Sequence, residues 1–139
     1  MRCTLATIAI LFATQGAEDA PAASGVLDGK RVAFPAKGVA DGVKAAAGLL
    51  ASCHDKSRFD ADELKRARQG DHVRLVFPRP IAVEVMGARV EVSELLVRQP
   101  LNTGVIGVRA GGEWQRYAKY EFPKEAAFAA WLRQARPAD

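Results

Sequence analysis

Cys53-His54 is the pair in this 139-residue chain best equipped for nucleophilic chemistry. A thiolate attacks where a thiol does not, and an imidazole beside it can take the proton or stabilise the charge. Two features weigh against that role. Neighbours on a helix point about 100° apart, so their side chains do not face each other. Cys53 also continues an apolar face through Val39, Val43, Ala46 and Leu50, where a buried thiol behaves as a small hydrophobe. His54 then falls at a helix end, where a partly charged imidazole complements the dipole. The structural reading is the stronger one. The alternative is a small cysteine-dependent enzyme using Cys53, with His54 or the distant His72 as base. Two histidines and two cysteines give no zinc-like spacing, so neither a metal site nor a cofactor is expected.

Three further groupings could carry chemistry. A hairpin turning at Gly87-Ala88 would set Glu84 opposite Glu91, and facing carboxylates need a cation, a shared proton or a neighbouring arginine. The segment from Arg98 to Gly104 is rich in turn formers. Asn102 and Gly104 tolerate left-handed backbone and Thr103 bonds locally, so it reads as a structured turn or as a binding loop flanked by Arg98. The third grouping mixes cations with aromatics: Arg109, Trp114, Arg116, Tyr117, Lys119 and Tyr120 on a hairpin turning at Gly111-Gly112. Such surfaces stack on sugars, bases or peptides and hold anions, although strand alternation must send half of these side chains into the core. Arg98, Asn102, Arg109, Trp114, Arg116 and Tyr117 are therefore the candidate ligand-binding residues. No glycine-rich nucleotide loop, Gly-x-Ser-x-Gly elbow, His-Glu-x-x-His pair or Walker pattern occurs in the chain.

The elements that must position these groups follow from periodicity and turn chemistry. Lys30 to Phe34 reads as a short strand after the Asp28-Gly29 turn, ended by Pro35. Spacing of three and four predicts a helix from about Gly38 to Ser52, weakened by Gly42 and Gly48 unless those glycines mark close packing. A second helix, Ala61 to Gln69, has a full local grammar. Asp60 and Glu63 form a capping box, Phe59 and Leu64 the hydrophobic staple, Lys65, Arg66 and Arg68 complement the dipole, and Gly70 supplies a left-handed stop. The period then changes to two. Strands are predicted at Val73–Phe77 and Ile81–Val85, with Pro78 and Pro80 interrupting any central ladder. The Gly87-Ala88 hairpin would pair Val85 with Val90, and a phase shift predicts a bulge near Ser93-Glu94. Strands near Val105–Arg109 and Trp114–Tyr120 follow. A final helix starts at Pro123, carries Phe128, Trp131, Leu132 and Ala135 on one face, and stops before Pro137. Helices, then a meander, then a helix predict an α+β fold: an antiparallel sheet of about four or five strands, covered on one face by two N-terminal helices and one C-terminal helix.

The N-terminus supplies an address. Arg2, the apolar run Leu5 to Ala13 and small residues before Glu18-Asp19 have the order of a secretory signal peptide. The run is about half the roughly 20 residues a membrane-spanning helix needs. The expectation is a signal peptide over 1–17, a flexible lead over 18–27 and a single domain over 28–137, secreted or periplasmic. Cys53 is then the one thiol left in the mature chain, which excludes an intrachain disulfide. The balance of 20 Lys+Arg against 16 Asp+Glu, with no basic block, is no nucleic-acid signature, but it suits an anionic ligand. These residues point to an exported, non-catalytic module that binds a protein or a small anionic or saccharide ligand. An envelope assembly or inhibitor protein pairing through the sheet edge near Pro78-Arg79-Pro80 is the remaining alternative.

Overall fold

Alternation after Gly70 builds an antiparallel sheet, as the period-two pattern predicts, but a wider one. The computed structural model of the chain describes residues 20–100, 104–119 and 127–138. Among them are the strands β1 (Ala22–Leu27), β2 (Lys30–Ala33), β3 (Asp55–Arg58), β4 (His72–Val85), β5 (Ala88–Arg98), β6 (Val105–Ala110), β7 (Glu113–Ala118) and β8 (Arg136–Pro137). They form one eight-stranded sheet in the order β3-β7-β6-β5-β4-β1-β2-β8, antiparallel throughout. The helices are α1 (Val39–Ala51), α2 (Ala61–Gln69) and the short α3 (Ala127–Trp131), which tightens into a 3-10 turn at Leu132–Gln134. The class is α+β, with eight strands in place of four or five. The leader over 1–17, Asn102 and Pro123 lie outside the described residues.

Two of the extra strands escape hydropathy for a physical reason. Ala22–Leu27 belongs to the stretch expected as a flexible lead, yet it runs as a strand between β4 and β2. Its small residues alternate exposed and buried, so the pattern is there without large side chains to announce it. The carboxylate of Asp71 accepts from the backbone N–H of Asp28 (2.8 Å) and Gly29 (3.1 Å), fastening the β1–β2 turn to the start of β4. β3 is Asp-Lys-Ser-Arg with every residue exposed, and only its pairing with β7 makes it a strand.

The helices divide between the two faces, where one covered face was expected. α1 lays Val43, Ala46, Ala47 and Leu50 on the core face, over Val73, Leu75, Val97 and Ile106 of the sheet, and α3 adds Phe128 and Trp131. Trp131 is held on three sides. Its ring stacks on Phe34 (centroids 4.1 Å apart, 11° between planes), it lies against the Cα of Gly42, and its Nε1–H donates to the Gly38 carbonyl at 2.9 Å. α2 packs instead on the opposite face, where Leu64 and Ala67 join Phe59 and Leu96 in a separate cluster. Its N-cap is as predicted, since the Asp60 side chain accepts from the Glu63 N–H at 2.8 Å, but the Glu63 carboxylate accepts from Arg116 in place of closing a capping box. Its end is not as predicted, because Gly70 is extended (φ −91°, ψ −174°) and leads straight into β4. None of the described helices is long and apolar enough to cross a membrane.

The β4–β5 hairpin turns one residue earlier than expected. Met86 and Gly87 are the loop, with φ of 53° and 78°, so the turn is of type I′ and not II′. That turn matches the right-handed twist of the flanking strands, a gain large enough to hold a methionine in left-handed backbone. Val85 consequently pairs with Ala88, Val83 with Val90, and Glu84 with Arg89. The facing carboxylates vanish: Glu91 stands opposite Ala82 and accepts from Arg89 Nε at 3.0 Å. The ladder breaks where the bulge was expected, but the surplus residues lie on β4, where Phe77 to Pro80 face Ser93 alone. Since Met86 is 51% exposed, Met86→Asn should remove strain without removing packing. We expect about 0.5–1 kcal/mol of added stability, read as a higher urea midpoint at unchanged slope.

Candidate functional site

Cross-strand register decides which candidate residues share a surface. One row of the sheet runs Ser24, Arg74, Leu96, Gly107, Arg116, Ser57, and the next runs Ala22, Val76, Glu94, Arg109, Trp114. Both rows lie on the face that carries α2. A third row on that face pairs His72 with Arg98. Tyr117 pairs with Ile106, and both are buried on the core face. The cation-aromatic hairpin is therefore split by alternation: Arg109, Trp114 and Arg116 stand on one side and Tyr117 on the other.

α2 divides the first group again. Arg116 Nε donates to Glu63 Oε2 at 2.9 Å, so this cation clamps the helix to β7. Phe59 meets Trp114 edge-on (6.3 Å, 88°), and Gly107 lets the Phe59 ring lie directly on the sheet backbone. Arg98 sits two residues along β5 from the covered Leu96, beside His72 and away from Arg109. What the fold gathers around half-buried Trp114 is Arg109, its exposed cross-strand partner, and Arg68 of α2, whose guanidinium lies 5.4 Å over the indole. Arg68 was legible in sequence only as a charge complementing a helix end. Nothing local announces that a residue on α2 will stack on one in β7.

The charge in this patch is unevenly compensated. Glu94 is buried, stands between Val76 and Arg109 in its row, and accepts from Arg74 Nε at 2.7 Å. Arg68 and Arg109 form no ion pair among the described residues, so beside Trp114 two guanidiniums keep donors that no described carboxylate takes up. A guanidinium above an indole is weakly hydrated and keeps its donor edge free for an anion's oxygens.

Cys53 is placed differently. It is 4% exposed in the core cluster, and its thiol donates to the Leu49 carbonyl at 3.6 Å. Burial pushes its pKa from 9.0 to about 11, a rise that the positive charge of Lys119 opposes but does not cancel. His72 is on the opposite face of the sheet, its Nδ1 2.8 Å from the Gly70 carbonyl, so the fold does not bring it to the thiol. His54 is exposed, and its backbone N–H donates to the Ala118 carbonyl. Because the folded thiol titrates above the unfolded one, its contribution to stability is complete below pH 9 and lost as the pH rises towards 11. Cys53→Ala should flatten the fall in thermal midpoint between those pH values. Native Cys53 should also react with iodoacetamide at pH 8 only after unfolding.

Among the described residues no three His, Cys, Asp or Glu side chains cluster as a metal site would require. No family model, curated protein or solved structure matches this chain, so the patch rests on its own geometry.

Proposed function

We propose that this chain is an exported, non-catalytic binding domain that holds an anionic ligand at the Arg68–Arg109–Trp114 patch. The observation that carries the reading is one guanidinium, Arg68, over the Trp114 indole and a second, Arg109, on its cross-strand partner, neither in an ion pair among the described residues. The flat ring offers a stacking surface and the two cations supply directed donors, a combination suited to a sulfated or carboxylated saccharide or an acidic peptide. Export follows from the order of charge, apolar run and small residues in 1–17. A nucleophilic role for Cys53 has less support, because its environment favours the neutral thiol.

The test is calorimetric titration of the full chain with a sulfated hexasaccharide, a hexaglutamate peptide and a neutral hexasaccharide. The expected result is binding of an anionic probe that weakens with salt, and that weakens by about tenfold or more in Arg68→Ala/Arg109→Ala. Equal affinity for the neutral saccharide, or no effect of the double variant, would remove the reading.

A further inference from the structure

On the other side of the molecule, α1 and α3 enclose a groove of about 660 Å³ that the sheet-face patch does not use. Its floor is apolar: Ala45 and Leu49 from α1, Ala130 and Trp131 from α3. Trp131 contributes only its ring, since its N–H is bonded to Gly38. Lys44 and Lys119 stand on the lining, neither in an ion pair among the described residues, and Asp41 lies one turn before Lys44 on the same side of α1.

The glycines of α1 supply the second observation. Each costs a helix about 1 kcal/mol relative to alanine. At Gly42 the fold explains that cost, because a Cβ there would collide with the Trp131 ring. At Gly48 it does not: this residue lines the groove, and a Cβ there would meet no atom within 4 Å. The backbone is bare where no part of the described fold needs it bare, in a groove of ordinary ligand size.

We propose that this groove binds a small amphiphilic anion, a carboxylate on an apolar chain. The chain would lie on Ala45, Leu49 and Trp131 and pass close over Gly48, and the carboxylate would meet the ammonium groups of Lys44 and Lys119. The site is independent of the sheet-face patch.

The experiment titrates the full chain with octanoate and with octan-1-ol, which shares the chain and lacks the charge. Octanoate should bind, and Lys44→Ala/Lys119→Ala should weaken it about tenfold or more while octanol changes less than about twofold. Gly48→Leu should abolish binding of both and leave the thermal midpoint equal or higher. Arg68→Ala/Arg109→Ala should leave octanoate binding unchanged, which separates this site from the first. Three results would overturn the proposal: no octanoate binding by the unaltered chain, an affinity indifferent to both lysines, or a Gly48→Leu variant with a lowered midpoint, which would mean that protein atoms already fill the groove.

Discussion

Trp131→Ala will lower the stability of the domain by about 3–5 kcal/mol, a large share of the roughly 5–15 kcal/mol that separates most folded domains from their unfolded chains. The size follows from what the indole does. It is 4% exposed, it stacks on Phe34, tilts against Phe128 at 5.3 Å and donates its N–H to Gly38. Removing it opens a cavity between α1 and α3 and leaves the Gly38 carbonyl without its donor, and the surroundings cannot collapse onto a helix fixed along the sheet. For a chain of this size the thermal midpoint should fall by roughly 10–20 °C, with a parallel loss in urea. Trp131→Phe separates the two contributions, because it keeps a ring against Phe34 and gives up the hydrogen bond. A loss below about 1 kcal/mol in Trp131→Ala would place α3 outside the cooperative core.

How much of this was legible in the sequence depends on whether the determinant is local. The bounds of α2 are readable because its N-cap and the staple positions lie within a few residues of one another. α1 is readable because its apolar spacing is long, and both elements match their expected bounds closely. β1 and β3 are not, since Ala-Ala-Ser-Gly-Val-Leu and Asp-Lys-Ser-Arg become strands only through partners β4 and β7, distant in sequence. The β4–β5 register hung on a single residue, the choice of Gly87 as first or second turn position, and that choice decided whether two glutamates faced each other. The side of the sheet that α2 would take was beyond a pattern of hydropathy alone, because an amphipathic helix fits either face. The candidate patch inherits this division: Arg109 and Trp114 are named by their hairpin, whereas Arg68 arrives through tertiary packing.

Gly107 is where that packing is most easily broken. A Cβ at this position would sit 2.5 Å from Phe59 Cε2 and 3.3 Å from Trp114 Cζ3, well inside van der Waals contact. Phe59 has no free direction: it is 4% exposed, wedged between the sheet, α2 and the Trp114 ring. Gly107→Ala should therefore lift Phe59 and the start of α2 from the sheet, at a cost of about 1–3 kcal/mol by overpacking. The same displacement should shift Arg68 from Trp114 and strain the Arg116–Glu63 pair, so affinity for the anionic probe should fall although no charged residue has changed. Shortening the wedge tests the mechanism. In Phe59→Leu/Gly107→Ala the added methyl has room, so the double variant should be more stable than the sum of the single losses, with a coupling of about 1 kcal/mol or more. Strict additivity would show that the glycine serves the strand itself and not the helix above it.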